Sequence, residues 1–256
     1  MKRAIVVPDI HYPLESKAAV KCVLKAIKIV KPNIFICLGD VGEWSSVSHW
    51  KYKKVKRPPL EFILPEIYEE LDAVNKGLDE LDKVLSSVGC KKKYMIQGNH
   101  DAWLDSFVDE QQSGNYFNSL RFKHAVRLND RGYQYKPYGE YLKIGKLYFY
   151  HGGHYTTMNH TRQHAMNLGK NIVYAHLHDV QRSSVTHIDG THASYSLGCL
   201  KDMSSEKNKW LKGRNHNWSH AFGIVDWFKN GSFRLDVVDI TDGKTFIWGK
   251  EINGNK

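Results

Sequence analysis

Seven residues able to donate to a metal ion follow, in five separate places, the end of an apolar run. VVPDIHYP brings Asp9 and His11, ICLGDVGEW brings Asp40 with Glu43 nearby, and MIQGNHD brings Asn99, His100 and Asp101. YFYHGGH brings His151 with His154 beyond it, and VYAHLHD brings His176 and His178. In open α/β sheets ligands collect outside the carboxyl ends of the strands, so five such clusters should converge on one site. Asp9/His11 and His176/His178 are two apart, and in an extended segment residues two apart project to the same side. Carboxylate, imidazole and amide carbonyl without thiolate suit manganese, iron, zinc or nickel better than calcium. Seven donors (Asp9, His11, Asp40, Asn99, His151, His176 and His178) exceed the needs of one ion, whereas two ions sharing a bridging carboxylate would use them all. Two ions roughly 3.5–4 Å apart can clamp the attacking and leaving oxygens of a phosphoryl displacement. Taken singly each cluster is weak, since a strand-end histidine is ordinarily a satisfied polar residue and Gly-Asp a turn.

The elements that must position these groups are legible around them. AIVV (4–7), NIFICLG (33–39) and KYMIQG (93–98) read as buried strands, with ESKAAVKCVLKAIKIV (15–30) a helix between the first two. Strand–helix–strand order with continuously apolar strands predicts parallel pairing with helices on both faces. An excursion at about 45–88 carries a basic, aromatic loop and then a helix. Its Leu64, Ile67, Leu71, Val74, Leu78, Leu81 and Leu85 follow one another at three and four residues. That seam fits an amphipathic helix lying on the sheet or a coiled-coil homodimer through residues 64–85. The second half predicts a hairpin around Gly145, a helix at 156–169 and then successive strands separated by Asp189-Gly190, Asn230-Gly231 and Asp242-Gly243 turns.

At 256 residues the chain fits a single domain, 1–256, with that insertion. The four cysteines lack CxxC spacing and read as free thiols. No stretch approaches the roughly 20 apolar residues that cross a bilayer, and the apolar run after Met1 is too short for a signal peptide, so a cytoplasmic protein without a membrane partner is expected. A net charge of +10 favours polyanionic partners without choosing among them.

DIH, GDVGE, GNHD, HGG and AHLH together resemble the five motifs of the calcineurin-like metallophosphoesterases, over residues 9–178. The chain is similar to the short, stand-alone members found in bacteria and their phages. The resemblance implies an α/β fold, a four-layered αββα sandwich with mixed sheets and two divalent metal ions at the sheet edges. Manganese is foremost, with iron, zinc or nickel as alternatives. It implies Asp9, His11 and His178 on the first ion, Asp40 as the bridge, and Asn99, His151 and His176 on the second. His100 matches the family's non-ligand histidine beside the scissile phosphate, and a metal-bridging hydroxide would attack phosphorus in line. Asp101 is expected to orient His100. Glu43 stands where the family's second motif has Asp, and it too can orient His100. Protein phosphatases of the family carry Arg at the positions of Trp44 and Gln97, which disfavours a phosphoprotein substrate, and Ala175 replaces the last motif's Gly.

Two segments outside the motifs join cations to aromatics: Trp50–Arg57, with Lys53, Lys54 and Arg57, and 207–220, with Lys209, Arg214 and His216. Such surfaces suit phosphate contacts with base stacking, or are solvated loops anchored by their tryptophans. The leading expectation is a metal-dependent phosphodiesterase acting on nucleic acid or nucleotides. A phosphomonoesterase for a small metabolite or phosphoprotein is the alternative, and a non-catalytic interaction module on the same fold comes third.

Overall fold

β-branched and aromatic runs become the strands, and the stretches of helical spacing between them become crossovers. The structure, a computed structural model, describes residues 2–111 and 115–256. In chain order, β1 (Lys2–Val7), α1 (Lys17–Val30), β2 (Ile34–Cys37), α2 (Leu60–Ser87) and β3 (Lys92–Ile96) come first. Next are α3 (Asn99–Glu110), α4 (Phe122–Ala125), β4 (Tyr133–Lys136), β5 (Leu142–Ile144), β6 (Leu147–Phe149) and α5 (His160–Leu168). The remainder is β7 (Asn171–Tyr174), β8 (Val180–His187), β9 (Gly190–Leu197), β10 (His220–Trp227), β11 (Phe233–Ile240), β12 (Lys244–Ile247) and β13 (Lys250–Asn253).

The first sheet has the order β11-β10-β1-β2-β3-β4, with β1 to β4 parallel and β10 and β11 antiparallel; the second has the order β5-β6-β7-β9-β8. Strand alternation divides the core. Ile5, Val7, Phe35, Cys37 and Met95 face the helix layer and meet Val23, Ile27, Leu78 and Leu104. Ala4, Val6, Ile34, Ile36 and Ile96 face the second sheet and meet Phe149, Val173 and Leu197. On the far side Tyr150, Ile172 and Tyr174 are covered by Leu168 of α5. Helices, sheet, sheet and helix make four layers, the αββα sandwich with mixed sheets. The parallel registers, Val7 beside Cys37 and Cys37 beside Met95, bring the carboxyl ends of β1, β2 and β3 to one edge.

α1 begins two residues later than the helical spacing suggested because Ser16 is its cap, its hydroxyl accepting from Ala19 N at 3.3 Å. The helix α3 and the short strand β4 were not expected. α3 opens on polar ligand-type residues, and its buried face, Leu104, Phe107 and Val108, spans only one turn, while the β4 segment YQYK is short and lies at a sheet edge.

The seam of α2 packs within the chain, as the amphipathic reading expects. Ile63, Ile67, Val74, Leu78, Leu81 and Leu85 are buried in the chain's own core, with Leu64 and Leu71 packed at its margin. The heptad-like spacing reflects a long helix laid along a sheet, so the seam has no apolar face to offer a second copy. Gly77 belongs to the same contact, since a Cβ there would stand 2.2 Å from the Tyr12 ring. Leu78→Ala should therefore lower the unfolding free energy by about 2–5 kcal/mol, with a denaturation midpoint independent of protein concentration. A midpoint that rose with concentration would return the seam to a dimer interface.

Candidate metal centre

Each candidate ligand sits just past a strand end, and the loops that carry them are stitched together by the backbone. His11 N donates to Asp40 O at 3.0 Å, Ala175 N to His151 O at 2.8 Å and Leu200 N to Asp9 O at 2.8 Å. Carboxylates fasten the rest: His176 N donates to Asp9 Oδ2 at 2.7 Å, and His100 N to Asp40 Oδ1 at 2.8 Å. That last bond turns the N-terminus of α3 toward Asp40, where the helix dipole favours negative charge. The approach requires glycine at position 98, because a Cβ would lie 2.0 Å from Asp40 Oδ1. His11, Asp40, His176 and His178 all have positive φ, between 47° and 73°. This left-handed backbone costs a non-glycine residue about 1–3 kcal/mol, and it clusters where function over-determines geometry.

Two groups of donors result. Asp9, His11 and His178 form one and Asp40, His151 and His176 the other, with the ligand atoms of each group within 4.8 Å of one another. Asp40 Oδ2 reaches toward both, 3.3 Å from His151 Nε2 and 3.9 Å from His11 Nε2. Asn99 Oδ1 completes the second group, 2.9 Å from His151 Nε2 and 2.7 Å from His176 Nδ1. All seven expected ligands are thus brought together.

The donors fit a cation on three counts. Around an ion with bonds of about 2.0–2.2 Å, neighbouring donors stand roughly 3 Å apart; His11 Nε2 and His178 Nε2 are 3.1 Å apart, and His178 Nε2 is 3.3 Å from Asp9 Oδ2. Asp9 Oδ1 is buried with no hydrogen-bond partner, a carboxyl oxygen that a nearby cation would satisfy. Three of the four imidazoles are shifted toward the metal-binding neutral form: burial brings His11 down to about 4 against the pull of Glu43, burial and His151 bring His176 to about 4, and burial carries His178 well down. Burial raises Asp9 well above the ordinary carboxylate range, with His151 opposing. Burial also works against charge on His151 and Asp40, yet each overrides it in the other. His151 rises to about 9, while Asp40 falls well below its usual range, helped by His100.

The three residues expected to do or assist the chemistry occupy different roles. His100 Nδ1 donates to the backbone carbonyl of Glu43 at 2.8 Å, its ring lies on Trp103 at 3.9 Å between centroids, and Nε2 is the nitrogen left free. It also stands close enough to His11 and Asp40 to form a third candidate donor group with them. Asp101 does not touch His100. Its buried carboxylate accepts from Trp44 Nε1 at 2.9 Å, Gly98 N at 3.1 Å, Gly42 N at 3.3 Å and Val41 N at 3.4 Å, pinning the loops after β2 and β3 together. Burial and Asp40 raise it to about 6 against those donors. The Glu43 side chain is also not on His100. Its Oε2 lies 2.8 Å from His11 Nδ1, a short but bent contact, and accepts from Lys201 Nζ at 2.6 Å. Lys201 was missed, although SLGCLKD obeys the strand-end rule that picked out the other clusters, here at the end of β9.

Both basic, aromatic segments border the centre. Trp50, Arg57, Trp103 and Glu110 line a cavity of about 460 Å³ together with Asn99 and His176. Arg57 is paired with Glu110 and lies over Phe107, while Lys53 sits over the exposed Trp50 ring and Lys54 stands exposed. On the other side Trp218 meets the His178 ring at 4.7 Å, and His216 and Trp210 flank Trp218 at 4.5 and 5.9 Å. Lys209 and Arg214 are exposed on the same segment, the latter donating to Leu211 O at 3.1 Å.

A family model described as calcineurin-like phosphoesterase matches residues 2–238. Gene 54 protein of Mycobacterium phage L5 is 22% identical over 263 residues, covering 97% of this chain and 98% of its own. Gene 54 protein of Mycobacterium phage D29 is likewise 22% identical, covering 97% of each. Among solved structures, Chaetomium thermophilum Vps29 aligns with a TM-score of 0.45 at 11% identity over 98% of this chain and 97% of that one. The Thermotoga maritima protein TM1076 aligns at 0.38 and 11% identity over 94% and 100%. The family match spans most of the chain, which belongs to the calcineurin-like phosphoesterases: metal-dependent hydrolases of phosphate esters that bind two divalent ions.

Asp101→Asn, which turns an amide toward four donors, should cost at least about 2–3 kcal/mol in urea denaturation. Unchanged stability with lost turnover would restore the His100-orienting role.

Proposed function

We propose that this calcineurin-like phosphoesterase is a phosphodiesterase acting on nucleic acid or nucleotides, with Asp9, His11 and His178 holding one ion, Asn99, His151 and His176 the other, and Asp40 bridging. The observation that carries the substrate reading is the pair of aromatic, basic walls, one beside each group of ligands: Trp50 and Trp103 next to Asn99 and His176, Trp218 and Trp210 next to His178. A phosphomonoester has one organic arm, whereas a diester has two. During in-line displacement by hydroxide one arm leaves opposite the attacking oxygen and the other stays on phosphorus at the side, and with a wall beside each group of ligands each arm has an aromatic surface on which a base can stack. Stacking on an aromatic side chain contributes about 1–3 kcal/mol per base and tolerates any base. The net charge of +10 draws a polyanion toward the site.

The two positions at which the family's protein phosphatases carry arginine have other uses here. Trp44 is fully buried and donates to Asp101, while the buried Gln97 donates to Asp105 at 2.6 Å and accepts from Tyr138 N at 3.1 Å. Neither can grip a phosphate, which argues against phosphoprotein.

When bound, the two ions supply Lewis acidity to the phosphoryl oxygens and lower the pKa of a water. The chain's own contribution centres on His100. With Nδ1 committed to the Glu43 carbonyl, Nε2 is the nitrogen free to hold a phosphoryl oxygen or hand a proton to the leaving oxygen. Manganese heads the candidate ions, with iron, zinc or nickel sharing its ligand preferences. The free thiols of Cys22, Cys37, Cys90 and Cys199 suit the cytoplasm.

With Mn²⁺ present, bis-p-nitrophenyl phosphate should be hydrolysed faster than p-nitrophenyl phosphate. His100→Gln should lower turnover by about 10²–10⁴ at unchanged metal content. A preference for the monoester would overturn the diesterase assignment, and loss of metal in the variant would make His100 a ligand. Trp50→Ala should weaken binding of a single-stranded oligonucleotide by about 1–3 kcal/mol while leaving the salt dependence as it was, because no charge is removed. A changed salt slope or an unchanged affinity would take Trp50 off the substrate surface.

A further inference from the structure

Outside the five motifs, one buried charge is aimed at the metal centre. Lys201 is 3% exposed, and its ammonium lies 2.6 Å from Glu43 Oε2, the same oxygen that lies 2.8 Å from His11 Nδ1. A buried lysine is kept only where its charge is matched, and Glu43 matches it. The lysine cannot reach a substrate, being enclosed and already engaged.

Its backbone is anchored on the side of the first ligand group. His220 Nε2 donates to Lys201 O at 2.7 Å, and the neighbouring Leu200 donates its N–H to Asp9 O at 2.8 Å and accepts from Ser16 N at 2.7 Å. His11 needs such a hold. Its φ is +58°, so its own backbone does not favour the position, and its Nδ1 has no aligned hydrogen-bond acceptor. Glu43 on the Nδ1 side leaves Nε2 facing His178 Nε2 at 3.1 Å. A carboxylate on the far nitrogen of a metal-ligating histidine fixes ring and tautomer, and losing one typically costs 10–100-fold in metal affinity.

We infer that Lys201 is a positioning residue for the first ion: it holds the Glu43 carboxylate against His11, and the Lys201–Glu43–His11 chain orients the His11 ring toward that ion. This rests on the ligand assignment above and not on the identity of the substrate. It also gives the Glu in the second motif a use that the shorter Asp would not serve in the same way, since the longer arm spans from the loop after β2 to Lys201 and His11 together.

The test is calorimetric titration of Mn²⁺ into the metal-stripped full chain, with circular dichroism as a control for folding. Lys201→Met should weaken one of the two sites about 10–100-fold and leave the other within about threefold. Lys201→Arg, which keeps a cation within reach of Glu43, should restore most of the loss. In a Glu43→Gln background, Lys201→Met should add less than about twofold, because the lysine acts only through the carboxylate. Wild-type affinity at both sites in Lys201→Met, equal weakening of both, or a full additional loss in the Glu43→Gln background would each overturn the chain. If Lys201→Met does not fold, the comparison of Lys201→Arg with Glu43→Gln decides. An arginine variant as weak as the glutamine variant would overturn the inference, and one near wild type would support it.

Discussion

Two carboxylates, Asp9 and Asp40, are buried side by side at the junction of the sheets, 0% and 1% exposed. Removing an ionised carboxylate from water costs several kcal/mol unless something compensates it, and most features of this edge can be read as compensation. Asp40 draws His151 toward its charged form against burial, the backbone N–H groups of His100 and His176 turn inward to the two carboxylates, and α3 aims its N-terminus at one of them. Of these two carboxylates' oxygens, Asp9 Oδ1 is left without a hydrogen-bond partner. The same demand explains why four candidate ligands accept left-handed backbone: no regular extension of the strands would turn their donors toward a common point.

The sandwich architecture follows from what this edge requires. Five loops must arrive from two sheets, so the sheets have to stack with their carboxyl ends together. The alternating faces of β1, β2 and β3 achieve this by sending one set of side chains to the helices and the other to the second sheet. Rigidity then comes from groups that do no chemistry. Asp101 is the clearest case, a buried anion spent on holding two loops in register through four donors.

That these seven candidate donors gather at one place was legible in the sequence, because strand ends and residue spacing are local properties and the rule that ligands gather at carboxyl ends converts them into a place. Partner choice was not legible. That His100 would bind the carbonyl of Glu43 and not its carboxylate depends on which atom of one residue faces another loop, and no pattern along the chain encodes this. Lys201 had the right context, but a single lysine at a strand end says nothing until the fold sets it beside Glu43. For α2 the heptad spacing was correctly seen yet permitted two partners, a second chain or the sheet beneath, and tertiary packing chose the sheet. α3 and β4 left little apolar period to find, the former because its first turn belongs to the site and only Leu104, Phe107 and Val108 mark its buried face.

The placement of β10 between β1 and β11 bears on how the chain is made. β1 emerges first and has β2 for one neighbour soon afterwards, but its other neighbour pairs Ile5 with Ile224. At synthesis rates of about 5–20 residues per second, that partner arrives on the order of ten to forty seconds later. During the interval an AIVV edge lies open, with the charges of Lys2 and Arg3 beside it as the guard against pairing with another nascent strand. Changes that weaken β10 would therefore prolong the exposure of that edge beyond synthesis and appear as aggregation of the newly finished chain.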